Sequence, residues 1–261
     1  MGTAYVGTEQ FYLYLGASLL ALVLISDRKL GPYPSPLPQI RQRQRELIEA
    51  FMLWAIDVIL ISYFFLSLYL QSLPYPELLI TSYISISPTL LTSLILPPVF
   101  LRFWRRTQER QALGLGFKIF WRPAALLIIL MTLSGFMVFL IRGGYLFPFP
   151  QLVWRLVSPS FEEELIYRGG IQTKLERATS PRAAWFIGGV LFGLVHVPTD
   201  FFGFIWVYYG RSVINSLSFL FTQITFGWLI GIFFIKSRSL YPCVIGHYLF
   251  DFLPDILAHL V

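Results

Sequence analysis

The chain is poor in charge. Asp, Glu, Lys and Arg together make up 13% of its 261 residues, against roughly a quarter in a typical soluble domain. A soluble globule of this length could not cover its surface with so little, which excludes a cytosolic α/β enzyme and a disordered regulator. Cysteine is almost missing as well. The single Cys243 allows no internal disulfide, excludes a disulfide-stapled secreted module, and leaves the redox compartment open. Residues 1–9 hold no Lys or Arg, so the basic n-region of a signal peptide is lacking and the first apolar run is expected to stay as a span. Import and lipidation signals, internal repeats and low-complexity linkers are all lacking, and a single membrane domain over 1–261 is the simplest organisation.

What the chain has instead is apolar surface. Hydrophobic residues make up 56% and the mean hydropathy is +0.66, the composition of a multi-pass membrane protein. Runs long enough to cross a bilayer are expected at 10–26, 49–70, 78–101, 119–141, 148–173, 183–197, 215–235 and 240–260. The expectation is an all-α polytopic helical bundle with about eight transmembrane helices. Two of the spans are unusual. The fifth contains three glutamates and two arginines, and the sixth is short.

The net charge of +6 raises the question of nucleic acid, but the basic residues lie in clusters between apolar runs and form no basic domain. Topology accounts for them better, and no nucleic-acid partner is expected. Arg28, Lys29, Arg41, Arg43 and Arg45 follow the first span; Arg102, Arg105, Arg106, Arg110, Lys118 and Arg122 follow the third; Lys174, Arg177 and Arg182 follow the fifth; Lys236 and Arg238 follow the seventh. The opposite loops hold only Arg142 and Arg211. Sixteen against two makes the basic side cytoplasmic and both termini external. The Pro-rich stretch 31–38 is then a cytoplasmic loop, Phe147 to Pro150 interrupt any helix entering span five, and the aromatic segment within 198–211 suits headgroup depth.

Ionisable residues inside a bilayer are costly, so each is a functional candidate. Here they are Asp57, Glu162, Glu163, Glu164, Arg168, His196, His247 and Asp251. Glu164 and Arg168 are four apart and share a helix face, which suits an internal salt bridge. Glu163 is turned about 100° away and is the freer carboxylate, able to act as general base on a water. The competing account is a helix start, with Ser160 and Glu163 as a capping box. Three glutamates inside an apolar stretch favour the catalytic account, because a cap has no need to sit in a membrane. His247 and Asp251 are also four apart, a geometry that orients an imidazole for catalysis or metal binding. A Cys243–His247 nucleophile pair is conceivable, but a lone buried cysteine usually packs as a small hydrophobe. His259 is expected at the interface, and Asp57 to neutralise Arg155 or Arg168.

These residues resemble the motifs of the CPBP family of intramembrane proteases, which includes the type II CAAX prenyl endopeptidases and bacterial abortive-infection-like proteins. The first motif is Glu163-Glu164-Leu-Ile-Tyr-Arg168, the second Phe192-Gly-Leu-Val-His196, the last His247-Tyr-Leu-Phe-Asp251. Phe226-Gly-Trp-Leu-Ile-Gly231 resembles the glycine-containing helix between the last two, and Ser237 to Pro242 the turn before the last. The resemblance covers about 155–255, a catalytic core carrying Glu163, Glu164, Arg168, His196, His247 and Asp251.

It implies an intramembrane peptidase with a cavity open to the cytoplasmic side, acting on a membrane-associated protein or peptide in contact with membrane lipid. Glu163 and His196 would activate water, and His247 with Asp251 would stabilise or bind the oxyanion. Two chemistries are permitted: a zinc ion on Glu163, His196 and His247 with an open fourth position, or a metal-free glutamate mechanism. One residue departs from the prenyl endopeptidases, which typically carry Asn where Asp251 stands. This favours the wider bacterial branch, whose setting would be the cell membrane, and an orienting role for Asp251. The alternative from another class is a non-catalytic membrane protein of the same fold that binds or stabilises partner membrane proteins. A transporter is disfavoured, since the polar groups are confined to the second half with no repeat symmetry.

Overall fold

The computed structural model describes residues 8–37, 42–71, 114–115, 120–200 and 213–261. The expected span at 78–101 and most of the aromatic segment within 198–211 lie outside them. Every regular element among the described residues is helical: α1 (Thr8–Lys29), α2 (Arg43–Gln71), α3 (Trp121–Arg142), α4 (Phe149–Arg155), α5 (the helical run 162–178), α6 (Pro181–Leu194), α7 (Val213–Ser237) and α8 (Tyr241–Ala258). Four stretches among them are long and apolar enough to cross a membrane: Gln10–Lys29, Trp121–Arg142, Pro181–Asp200 and Val213–Ser237. The chain is an all-α integral membrane protein. The expected total of about eight crossings is met in these residues only as far as those four.

Spans five and six differ from expectation, each for a local reason. Span five is two helices. The backbone leaves helical geometry at Ser158 (φ −133°, ψ 116°), because the residue before a proline is pushed out of the α region by the ring of Pro159. After the break, Glu162–Glu164 form an α-helical turn and Leu165–Gln172 continue in wider π-type turns, a geometry that recurs at functional sites. Span six is longer than it looked. Ser180 accepts a hydrogen bond from the Ala183 N–H at 3.2 Å and Pro181 occupies the first turn, a favourable helix start from which the apolar stretch runs to Asp200.

α7 is the central helix, packed against α1 and α6, while α3 packs on α8. Its most apolar window is 67% buried, against 28% for α1 and α3, whose outer faces present Leu24, Ile129, Leu133 and Leu140 to lipid. On α3 the buried residues Ala124, Leu127, Met131, Gly135 and Val138 recur every three or four positions, the stripe of a helix buried on one side. The α6–α7 contact is set by two small-xxx-small patterns, Gly189/Gly193 and Gly227/Gly231. A Cβ on Gly227 would meet the Gly189 carbonyl oxygen at 2.9 Å, and one on Gly193 would meet the Ile224 nitrogen at 3.0 Å. Without a hydrophobic drive between helices in lipid, such close backbone approach is what holds them together.

The bundle has two distinct ends. At one, Arg238 makes two 2.7 Å contacts with Glu176, Lys236 donates to the Gly31 carbonyl, Arg182 lies 3.8 Å from Asp27, and the Phe120 N–H donates to the Ser237 carbonyl. This end gathers described residues of the connections that follow spans one, five and seven, together with Phe120 at the start of α3. At the other, Arg142 lies 3.4 Å from the Tyr12 hydroxyl, the Tyr145 N–H donates to Asp255 at 2.7 Å, and the His259 ring contacts the Phe147 carbonyl.

Because the α6–α7 contact tolerates no added volume, Gly227→Leu is expected to destabilise the bundle by about 1–3 kcal/mol. Thermal unfolding in detergent checks this, with Gly188→Ala as a control at a helical glycine whose added Cβ would meet nothing closer than 3.5 Å.

Candidate active site

The three motifs converge in space. α5 supplies Glu163, Glu164 and Arg168, the stretch just after α6 supplies His196, and α8 supplies His247 and Asp251. Phe192 is the pivot. Its fully buried ring stands edge-on to Tyr167 (5.1 Å) and lies 5.1 Å from His196, 5.9 Å from Phe226 and 6.2 Å from His247, with the Arg168 guanidinium carbon 4.9 Å from its centre. The phenylalanine four residues before His196 is thus a packing surface for the whole cluster, and a cation–π partner for a buried arginine.

The expected Glu164–Arg168 bridge is present at 3.0 Å with both side chains fully buried. It does not stand alone. The other Glu164 oxygen lies 2.9 Å from His247 Nδ1, and His247 Nε2 lies 3.1 Å from Asp251. With both carboxylates ionised, both ring nitrogens of His247 carry protons and donate. The result is a chain of alternating sign, Arg168, Glu164, His247, Asp251, in which every charge touches its opposite. A charge buried with such a partner avoids most of the cost of leaving water.

Glu163 is outside that chain. Its nearest described partner is His247 Nε2 at 3.9 Å, and its side chain keeps 27% of its exposure. It faces a cavity of about 500 Å³ lined also by His196, His247, Asp251, Phe226 and Phe250. His196 Nδ1 lies 2.8 Å from the Phe192 carbonyl. A carbonyl only accepts, so Nδ1 carries the proton, and the neutral imidazole presents the lone pair of Nε2. A carboxylate and an imidazole lone pair on one cavity are two acceptors for the protons of a water.

The cavity extends from this cluster to the end of the bundle marked by Tyr12, Arg142, Tyr145 and Asp255, the end away from the basic loops. A basic cytoplasmic side and a cavity open to the cytoplasm were both expected from sequence. On this structure the cavity extends to the opposite end: Glu163, Glu164 and His196 lie in the halves of α5 and of the 181–200 stretch that are away from the basic loops, while His247 and Asp251 straddle the middle of α8.

Other expectations resolve as follows. The capping box does not form: no side chain caps the start of the Glu162–Glu164 turn, and Ser160 Oγ is buried without a partner among the described residues. Asp57 pairs with neither arginine but accepts from the Tyr167 hydroxyl at 2.7 Å, since α2 packs against α5 and brings Asp57 to the phenol. Arg155 lies over the rings of Phe147 (4.4 Å) and Phe252 (4.8 Å). Cys243 is fully buried with its thiol toward the Ser239 carbonyl at 3.5 Å, so it is a packing residue. His259 is exposed at the end of α8. Tyr167 was missed from sequence, although a phenol in an apolar run of this kind needs a hydrogen-bond partner.

A zinc ion on Glu163, His196 and His247 needs a lone pair from each imidazole. His196 offers Nε2. His247 offers none, since both its nitrogens face carboxylates, and among the described residues no group of three or more His, Cys, Asp or Glu is arranged to hold a metal ion. The donor set as folded does not fit the metal.

Removing the cation at one end of the charge chain leaves Glu164 with less compensation in a fully buried place. Arg168→Met is expected to cost about 3–5 kcal/mol, and Arg168→Met with Glu164→Gln to recover part of it, both measured by unfolding in detergent.

Comparison with known proteins agrees with the motifs. Residues 145–253 match the family described as type II CAAX prenyl endopeptidase Rce1-like. No curated protein and no solved structure matches the chain. The matched stretch begins at the cavity mouth with Tyr145, takes in Glu163, Glu164, Arg168, His196, His247 and Asp251, and ends within α8. At 145–253, the stretch that holds all three motifs, the chain is thus similar to the type II CAAX prenyl endopeptidase Rce1-like family.

Proposed function

We propose that the protein is an intramembrane endopeptidase that hydrolyses a peptide bond of a membrane-associated protein or peptide, with Glu163 as the base. The observation that carries this reading is the contrast between the two adjacent glutamates. Glu164 is fully buried between Arg168 and His247, while Glu163 is held beside them in the lining of a cavity.

The chemistry follows from the groups present. A water between Glu163 and His196 Nε2 gives one proton to the Glu163 carboxylate as its oxygen attacks the carbonyl carbon. The oxyanion that forms develops beside the His247 imidazolium, whose charge Glu164 and Asp251 hold in place. Collapse breaks the C–N bond, the proton on Glu163 passes to the leaving nitrogen, and the products are a new carboxyl terminus and a new amine. Glutamate and imidazole suffice for each step, and no step passes through a metal. Asp251 is a positioning residue in this scheme, fixing the second nitrogen of His247.

The alternative, a non-catalytic membrane protein of the same fold that stabilises partners, uses the same buried charge chain but has no need of Glu163. Comparison of peptide termini in membranes from cells making wild type or Glu163→Gln at equal levels separates the two. The proposal expects a set of membrane-proximal termini to disappear with the variant, and a purified reaction to slow by about 10²–10⁴-fold. Unchanged termini with a persisting deletion phenotype favour the partner-binding alternative. Chelators such as EDTA and 1,10-phenanthroline are expected to leave cleavage unchanged. Loss of cleavage restored by added zinc would reverse the metal-free assignment.

A further inference from the structure

The face of the membrane on which this chemistry occurs follows from two independent features of the chain, its charge distribution and the placement of its cavity. Short loops carrying Lys and Arg remain on the cytoplasmic side, and the bias here is sixteen residues against two. The structure brings those loops that it describes to one end: Asp27 with Arg182, Glu176 with Arg238, and Gly31 with Lys236 are contacts between separate connections. The clustering agrees with the loop assignment made from charge alone.

The cavity is at the other end. Along α1 it is bordered by Phe11, Tyr12 and Leu15, in the half of the helix farthest from Arg28 and Lys29. Along α3 it is bordered by Val138 and Arg142 at the end farthest from Arg122, and along α7 by Phe219, Thr222 and Gln223 in the half farthest from Lys236, with Phe226 at the middle. Toward the basic end the interior formed by the described residues is packed. Arg168, Ile171, Leu175, Ile232, Leu240 and Cys243 are all fully buried there. Glu163 and Asp251, by contrast, keep 27% and 36% side-chain exposure toward the cavity.

We infer that the cavity opens on the non-cytoplasmic face of the membrane, so that its substrate is a polypeptide segment whose cleaved bond has already been translocated. The substrate part of this rests on the peptidase reading; the sidedness does not. A cytoplasmic mouth on this structure would require all the basic loops to face outward, against the strongest orienting signal in the sequence.

The single native cysteine gives a direct test, because Cys243 is fully buried and wild type serves as the blank. Leu146→Cys places a thiol at the cavity end, on a side chain 73% exposed, and Arg182→Cys places one at the basic end, on a side chain 70% exposed. Neither residue belongs to the catalytic cluster. Full-length variants are treated in intact cells with a membrane-impermeant maleimide, before and after permeabilisation. The inference expects Leu146→Cys to be labelled equally in both conditions and Arg182→Cys only after permeabilisation. The reverse pattern overturns it. In the same strains, termini lost with Glu163→Gln should map to translocated segments, and termini in cytoplasmic segments would also overturn it. If Glu163→Gln changes no termini, the peptidase reading fails while the labelling still decides the sidedness.

Discussion

The site depends on four charged groups, three of them buried and the fourth, Asp251, at the cavity edge, that are held facing one another. Arg168, Glu164, His247 and Asp251 alternate in sign across α5 and α8, with contacts of 3.0, 2.9 and 3.1 Å. In a low-dielectric interior an isolated member would be expensive, and the alternation is what makes all four tolerable. The same chain fixes the distance between α5 and α8 and the plane of the His247 ring. It also accounts for the division of labour between neighbouring glutamates. Once Glu164 is committed to two cations, Glu163, a third of a turn away, is left to the cavity.

The rest of the fold supplies walls for this arrangement. Glycine on both α6 and α7 lets two backbones approach until Gly189 and Gly227 touch, which brings Phe192 and Phe226 together above His247. The break at Ser158–Pro159 separates α4 from α5 and lets the glutamate turn begin inside the bundle. Wider turns follow at once over Leu165–Gln172, so Tyr167 reaches Asp57 on α2 while Arg168 stays with Glu164. Each feature that departs from a regular apolar helix lies beside the catalytic cluster or packs directly against it.

Much of this was legible in the sequence because membrane burial makes the relevant signals large. Charged residues are rare in apolar runs, so those in 160–251 stood out, and four-residue spacing correctly paired Glu164 with Arg168 and His247 with Asp251. The break in span five was less visible, because a proline within a long hydrophobic run is tolerated in many membrane helices. The pairing of Asp57 was misjudged for a different reason. Opposite charge suggested an arginine, but geometry put a phenol within 2.7 Å and left both arginines against aromatic rings.

By itself the sequence determined that the chain is a helical membrane protein, that its basic residues gather in alternate connections, and which polar residues share a helix face. These are properties of composition and of the helical repeat, and they need no knowledge of how helices meet. Only the tertiary structure decided that Glu164 bridges Arg168 and His247, that both His247 nitrogens face carboxylates, and that the cavity extends to the end away from the described basic loops. Those facts depend on contacts between residues as far apart as 83 positions, and such contacts are set by how backbones approach and which faces pack, quantities that no single helix carries.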